Sequence, residues 1–412
     1  MSPIRARATV VGTALAAALT LSVPLPATAS PAPAPTADAT VEEARLAHAV
    51  PQEILRRSGF DAEATDLGKA LDRARNFGQA RKAVQEHGSD LWERAVDRAQ
   101  GKGPAVGDLS RDDDRPLYWA RLSLTLELRQ WQPSFRLTDS QRARLLDRLE
   151  RSSRGQDSID LPSGKRIKRV VMTGFDPFTL DRDIRISNPS GASALALDGT
   201  LIQTAAGPAR IETAIFPVRW QDFADGSVER TLRAQLPKAD LFTTVSQGRV
   251  GRFDIERTNG AWRGGFPDNL NVSRTETVPV ADPSSQPQWT STTLPHARIV
   301  ASPTGRFPVY DNRAVTEIPA GSTTAVVAPN GPTPGSTARA GGGGDYLSNE
   351  IAYRATLLRD RLGLTNAGGH VHTPVLQFGP GNSTEVTDPV FVQNRLDIIA
   401  QVRAIIQVAA QP

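Results

Sequence analysis

Five histidines, at positions 48, 87, 296, 370 and 372, are the ordinary proton-transfer groups of this 412-residue chain. Cysteine is absent, which removes a thiol nucleophile, a thiolate metal site and disulfides together. His48 and His87 fall in an Ala/Arg/Leu-rich segment, and His296 follows Leu294-Pro295. His370 and His372 lie two apart in a strand-like stretch, so a regular strand would point both to one face. An H-x-H pair can hold a metal, but no Asp, Glu or His motif at ligand spacing accompanies it, and no metal centre is expected. A general base needs a hydroxyl or thiol partner to make a nucleophile. Ser348 is the candidate, in Asp345-Tyr346-Leu347-Ser348-Asn349-Glu350, after four glycines and at the start of an apolar-periodic helix. Free N–H groups and the positive end of a helix dipole suit an oxyanion there. A serine at a helix start is also an ordinary N-cap. Residue type and spacing leave both readings open.

The elements that must position these residues divide into two regions. Residues 41–156 are rich in Ala, Arg, Leu and Asp and patterned at three and four residues, as in Leu67, Ala70, Leu71 and Ala74. Four or five helices are expected, with starts at Asp114-Arg115-Pro116 and at Thr138-Asp139-Ser140-Gln141. The alternation of Leu122, Leu124, Leu126 and Leu128 leaves that stretch ambiguous by period. Trp92, Trp119 and Trp131 read as packing residues. A polar run over 151–165 leads through a linker at 157–166. Beyond it, strands are expected at Ile167–Thr173, Ala214–Val218, Leu241–Ser246, Thr324–Ala328 and His370–Leu376. Helices are expected at Gly191–Leu197, Trp220–Leu236, Tyr346–Leu362 and Asp388–Val408. Their alternation predicts a three-layer α/β/α domain over 167–412 with a mixed, mostly parallel central sheet. Loops at the C-terminal strand ends should gather 173–178, 246–256 and the glycines before Ser348 on one rim. The low-complexity run 331–344 reads as flexible, and 259–291 as a long surface excursion.

The ends and the charge set the context. Arg5 and Arg7, the uncharged apolar run 9–23 and Ala27-Thr28-Ala29 read as a signal peptide over 1–29, followed by a Pro/Ala-rich spacer over 30–40. The apolar run is about 15 residues, short of the ~20 a bilayer needs. An exported protein, with no membrane attachment after cleavage, is the expectation. Net charge is +4, and the 42 arginines against 6 lysines are spread evenly, which gives no nucleic-acid stripe.

Several short segments, taken in order, resemble the pyroglutamyl peptidase I (pyrrolidone-carboxylate peptidase) family. They are Thr173-Gly174-Phe175-Asp176-Pro177-Phe178, Asn188-Pro189-Ser190, Phe216-Pro217-Val218, Ser246-Gln247-Gly248, Arg252 with Glu256-Arg257, Pro267-Asp268-Asn269, Thr293-Leu294-Pro295, the Ser348 segment, and Gly368-Gly369-His370-Val371-His372-Thr373-Pro374. The resemblance spans about residues 167 to 380. It implies Ser348 at the nucleophile position, His372 as general base and then acid, and Glu256 as the group that orients His372. It implies Phe175 and Phe178 flanking a flat lactam ring, with Asn188, Gln247 and Leu347 beside it. The implied partner is a peptide with N-terminal pyroglutamate, and no cofactor is implied.

The sequence departs from that family at informative places. Serine replaces the family's cysteine at 348. Asp345 stands where the family has a small hydroxyl residue. Gly265 stands where it has an arginine, the nearest being Arg263, and an insertion occupies about 270–340. Three readings follow: a Ser-His-Glu hydrolase, a pseudoenzyme that binds a pyroglutamyl or other capped peptide, and a helical partner-binding module carried on an α/β scaffold.

Overall fold

A computed structural model of the chain describes residues 39–103, 106–164 and 166–411. The signal-peptide reading and most of the spacer lie outside these residues. Helices come first: α1 (Val41–Ala44), α2 (Ala49–Ser58), α3 (Glu63–Asp72), α4 (Phe77–Ala99), α5 (Arg115–Gln130) and α6 (Asp139–Ser152). Capping explains several of the boundaries. Thr40 and Glu43 close a capping box on α1, and Thr138 and Gln141 close one on α6. The ambiguous leucines lie in α5, where Leu117, Leu124 and Leu128 are buried. Pro116 sits in its first turn as expected, but the Asp114 side chain does not cap it and turns to Ser187 and Asn188 instead. Trp92, Trp119 and Trp131 are all buried packing residues.

The remaining elements in chain order are β1 (Lys168–Phe175), α7 (Pro189–Leu197), β2 (Thr200–Thr204), β3 (Gly207–Phe216), α8 (Trp220–Ala224), α9 (Ser227–Leu232), β4 (Leu241–Gln247), β5 (Phe253–Glu256), β6 (Thr258–Gly260), β7 (Trp262–Arg263), β8 (Glu276–Thr277), β9 (Trp289–Ser291), α10 (His296–Ala301), β10 (Val309–Asn312), β11 (Val315–Ile318), β12 (Val326–Ala328), β13 (Thr337–Ala340), α11 (Leu347–Arg361), β14 (Ala367–Thr373) and α12 (Pro389–Ala409). A seven-stranded sheet runs β10-β5-β14-β4-β1-β3-β2. Its pairings are parallel except β14 with β5 and β2 with β3. The sheet is buried on both faces, as mostly parallel sheets are. Val170 and Met172 pack into one core with Leu195, Ile398 and Val402, whereas Val171 and Phe175 pack into the other with Leu232, Ile351 and Leu358. The expected three-layer α/β domain preceded by helices is therefore the observed architecture.

Several local expectations are corrected. The strand expected at Thr324–Ala328 is β12, which belongs to a separate sheet ordered β12-β11-β13, with Val326 and Val327 exposed on its edge. The central sheet instead takes β5 and β10, whose FDIE and VYDN sequences lack an apolar run. The single helix expected at Trp220–Leu236 breaks at Asp225-Gly226, where Gly226 has φ +76°. The strand expected at His370–Leu376 ends at Thr373, because Pro374 has no N–H for the ladder. The glycine-rich run contains strand β13, and Gly341 and Gly342 are buried. The turn-rich stretch 259–291 is no mere surface excursion, since Asn259, Arg263, Asp268 and Asn269 are buried. Likewise Ser152, Ser153 and Arg154, inside the polar run, are buried.

Arg154 is buried because helices and sheet meet through charge. Asp176, in the loop after β1, pairs with Arg121 of α5 at 2.7 Å and with Arg154 at 2.9 Å, and all three are nearly inaccessible. The adjoining Asn269 amide donates to the Pro177 carbonyl at 2.9 Å and to Glu42 of α1 at 3.1 Å. Arg45 reaches the Asn269 carbonyl at 2.6 Å. The helices thus grip the loop that carries Phe175 and Phe178. Removing the shared acid leaves buried Arg121 without its carboxylate and Arg154 with Glu150 alone, so Asp176→Ala should lose about 3–5 kcal/mol of stability in a denaturant titration.

Asp114 yields a pH prediction. Burial, and then the neighbouring Asp113, push its carboxyl up to about 7. Ionising it therefore costs the folded chain more than the unfolded one, where the pKa is ~3.9. Its contribution to stability is complete in acid and falls as pH climbs from about 4 through about 7. Asp114→Asn lacks this dependence. The melting temperature of the variant, relative to wild type, should rise between pH 4 and pH 7.5.

Candidate active site

β14 and its neighbours bring the implied residues together. His370 and His372 project to one face of β14, their ring centroids 4.5 Å apart and edge to face. On the antiparallel partner β5, Glu256 stands opposite His370, and Asp254 stands opposite His372. Diagonal cross-strand neighbours on one face are within reach of long side chains. The Glu256 carboxylate accordingly meets His372 Nδ1 at 2.7 Å, with both residues buried. A carboxylate accepts, so Nδ1 carries the hydrogen and Nε2 keeps its lone pair. The second Glu256 oxygen accepts from Asn312 Nδ2 at 2.6 Å, and the same amide bonds the Gly342 carbonyl at 2.9 Å. Arg249 Nη1 lies 3.9 Å from Glu256 and pairs with Asp254 at 2.7 Å.

Three glycines make room for this pair. A Cβ on Gly248 would stand 2.6 Å from His372 Cβ and 2.7 Å from its Cγ. A Cβ on Gly343 would stand 2.8 Å from His372 Cε1, and one on Gly342 would overlap Glu256 Oε2. The imidazole is thus held between two backbone segments that approach closely because neither has a side chain. Beneath it, His370 is fully buried between Thr244 Oγ at 2.7 Å and Ser246 Oγ at 2.8 Å. Burial, with the nearby His372, holds His370 well below the usual histidine range, so it is a neutral packing partner.

Ser348 is the second residue of α11 and nearly buried. Its hydroxyl donates to the Gly343 carbonyl at 3.1 Å rather than to the imidazole. It does not cap the helix. Asn349 fixes this helix start by bonding the Gly260 amide at 2.9 Å and the Gly260 and Trp262 carbonyls at 2.9 and 2.8 Å. First-turn amides of a helix have no intrahelical acceptor, so N–H groups at 347 and 348 are available to an anion.

Ser348 and His372 open on one pocket of about 250 Å³, together with Phe178, Gln247, Arg249, Phe266, Asp345 and Tyr346. A cavity of about 20 Å³ adjoins it, lined by Phe175, Phe178, Asn188, Gln247, Leu347 and Ser348. All eight implied residues therefore converge, with Glu256 behind the pocket wall. Their positions differ in kind. Phe175 is buried and stacks on Phe223, whereas Phe178 is half-buried near Tyr346. Gln247 accepts from the Leu376 amide at 3.3 Å. The Asn188 side chain is spent on structure: it donates to the Asp176 carbonyl at 2.9 Å and accepts from Ser190 at the start of α7. Asn312 escaped the reading of the sequence, as did the bonding partners of His370 and Asn349. Asn312 sits on a strand with no strand signature, and the other two act only through contacts made by folding. Among the described residues no group of three or more His, Asp or Glu is arranged to hold a metal.

The PA0049 N-terminal domain model matches residues 26–150, and the PA0049 C-terminal domain model matches residues 169–281 and 306–377. The Pseudomonas aeruginosa protein described as "Uncharacterized protein PA0049" is 33% identical over 460 residues, covering 86% of this chain and 83% of that protein. Among solved structures, pyrrolidone carboxyl peptidase from Pyrococcus furiosus, described together with its Cys-free mutant, is similar at 22% identity with a TM-score of 0.40. The match covers 58% of this chain and 97% of that one. A substituted mutant of the same P. furiosus peptidase is similar at 21% identity, 58% and 98% coverage and a TM-score of 0.39. With both domain models matched and the PA0049 likeness running through most of each chain, this protein belongs to the PA0049 family.

Proposed function

We propose that this chain is an exported, pyroglutamyl-peptidase-like hydrolase that removes N-terminal pyroglutamate from peptides. The observation that carries the reading is the buried 2.7 Å contact of Glu256 with His372, set beside Ser348 on one pocket. The Ser348 hydroxyl turns about Cα–Cβ from Gly343 toward His372 Nε2, a change between staggered rotamers. Its oxygen attacks the carbonyl carbon that joins pyroglutamate to the next residue, and its proton passes to Nε2. Glu256 stabilises the resulting imidazolium, and the α11 amides receive the oxyanion. The C–N bond then breaks, and His372 returns the proton to the departing amine. Water hydrolyses the acyl-serine by the same route. Phe175 and Phe178 would flank the ring. A 20 Å³ cavity holds about one water, so ring entry requires Phe178 or Tyr346 to swing outward. Serine in place of cysteine suits an exterior where a thiolate is prone to oxidation.

One observation favours a second reading. The Ser348 proton is committed to Gly343 rather than to the base, as in a pseudoenzyme that binds a capped peptide without turnover. The two readings separate in a fluorogenic pyroglutamyl-amide assay on the mature chain. Turnover abolished by Ser348→Ala supports the hydrolase. Saturable binding of a pyroglutamyl peptide with no turnover supports the pseudoenzyme. Loss of both overturns this family of readings and leaves the helical region as the working part. A gain in rate for Ser348→Cys would show that the rest of the site is competent.

Two further variants test the geometry. Glu256→Gln keeps shape but removes the charge behind the imidazole, and kcat should fall roughly 10²- to 10⁴-fold. Gly343→Ala forces the imidazole off its seat, and a displacement near 1 Å should cost about 100-fold in kcat. Overpacking there should also cost about 1–3 kcal/mol, so a thermal melt must show that the variant is folded at the assay temperature.

A further inference from the structure

Asp345 is the pocket residue that the proposed chemistry leaves unused. It stands three residues before Ser348 and lines the 250 Å³ pocket but not the small cavity beside Phe175. Its carboxylate faces Gly264 and Gly265. A Cβ on Gly265 would stand 2.9 Å from Oδ1, and one on Gly264 would stand 3.1 Å from Oδ2. The acid thus fills the space in which a side chain at 265 would begin, and the Gly264 amide holds the Asp345 carbonyl at 2.6 Å.

The cations around it are committed elsewhere. Arg263 pairs with Glu276 at 2.6 Å and with Glu350 at 3.4 Å. Arg274 leans on Glu276 at 3.9 Å. Arg249, which lines the same pocket, pairs with Asp254 and approaches Glu256. Among the described residues no cation perturbs Asp345, and half-burial raises its carboxyl above the usual range. Among the described residues its carboxylate lines the pocket with no ion-pair partner.

The neighbouring wall is aromatic. The Tyr346 ring lies 5.9 Å from Phe178 and 5.9 Å from Phe266, and its hydroxyl is tied to the Pro267 carbonyl at 3.0 Å. Phe266 is 62% exposed at the pocket mouth, a large apolar surface left to solvent. A carboxylate beside aromatic faces binds an organic cation with an apolar stem, which is the chemistry of a lysine or arginine side chain.

We infer that Asp345, with Phe266 and Tyr346, forms a subsite for a basic side chain on the residue that leaves with the amine. Placing that side chain on the leaving residue rests on the proposed hydrolase reading. The existence of a cation subsite does not. Asp345 is a specificity-determining residue here, and its position near the nucleophile gives a cationic substrate a second benefit. A bound cation offsets a carboxylate that would otherwise oppose the developing oxyanion.

Binding is tested first, on the full mature chain, by calorimetry with N-acetyl-argininamide and N-acetyl-norleucinamide at low salt. The arginine ligand should bind about 3- to 10-fold more tightly, with the difference shrinking at high salt. In Asp345→Asn the ratio should fall to within about 2-fold of unity, with a thermal melt confirming a folded variant. Equal affinity of the wild-type chain for the two ligands overturns the inference, whatever the variant does. A preference unchanged in Asp345→Asn overturns the assignment to this residue. The ratio of kcat/KM for pyroglutamyl-argininamide over pyroglutamyl-norleucinamide then separates the two proposals. Cation preference in binding without turnover of either peptide sinks the hydrolase and leaves the subsite standing. Equal turnover of both peptides, with equal binding, leaves the hydrolase and sinks the subsite.

Discussion

The aromatic wall of the pocket depends on one buried acid. Asp176 leaves the end of β1 between Phe175 and Pro177 and receives Arg121 and Arg154 in a space closed to water. Charges so buried are tolerable only when matched, and breaking such a match is costly. This loop therefore cannot relax without orphaning Arg121 and leaving Arg154 to Glu150 alone. Glu42, Arg45 and Asn269 add a second layer of bonds on Pro177 and the 268–271 turn. The helices thus serve as a clamp on the aromatic wall of the site.

The opposite wall is organised by the absence of side chains. Gly248 and Gly343 approach His372 so closely that a methyl group on either would displace the ring, and Gly342 does the same for Glu256. Backbone packed directly against an imidazole leaves it little freedom, so the ring is kept in one orientation. Asn312 completes the arrangement by tying the free carboxylate oxygen of Glu256 to the glycine loop. The glycine run is thus shaped space around the imidazole rather than slack chain.

Against this well-held pair, the positions at which the sequence departs from the peptidase motifs it resembles gather on the α11 side. Serine, Asp345 and Gly265 are neighbours in space, and the Asp345 carboxylate occupies the start of the path that a side chain at 265 would take. An acid gained and an arginine absent at one spot reverse the local charge. Such a reversal leaves the Glu256–His372 pair untouched.

The sequence by itself determined a helical region followed by an α/β domain, and its resemblance to a peptidase family named the candidate site residues. Periodicity, caps such as Thr138 and ordered motifs are local properties, so they are legible without a fold. It did not disclose β5 and β10, because their FDIE and VYDN runs are strands by virtue of their neighbours. Nor did it disclose Asn312, the hydroxyl partners of His370 or the clamp on Asp176, each of which joins residues far apart in the chain. Only tertiary structure decided those, since cross-strand register and the pairing of buried charges exist only after distant segments meet. The orientation of Ser348 was decided the same way. Its hydroxyl bonds Gly343, a partner five residues away along the chain, because the packing of the glycine loop brings that carbonyl above the start of α11.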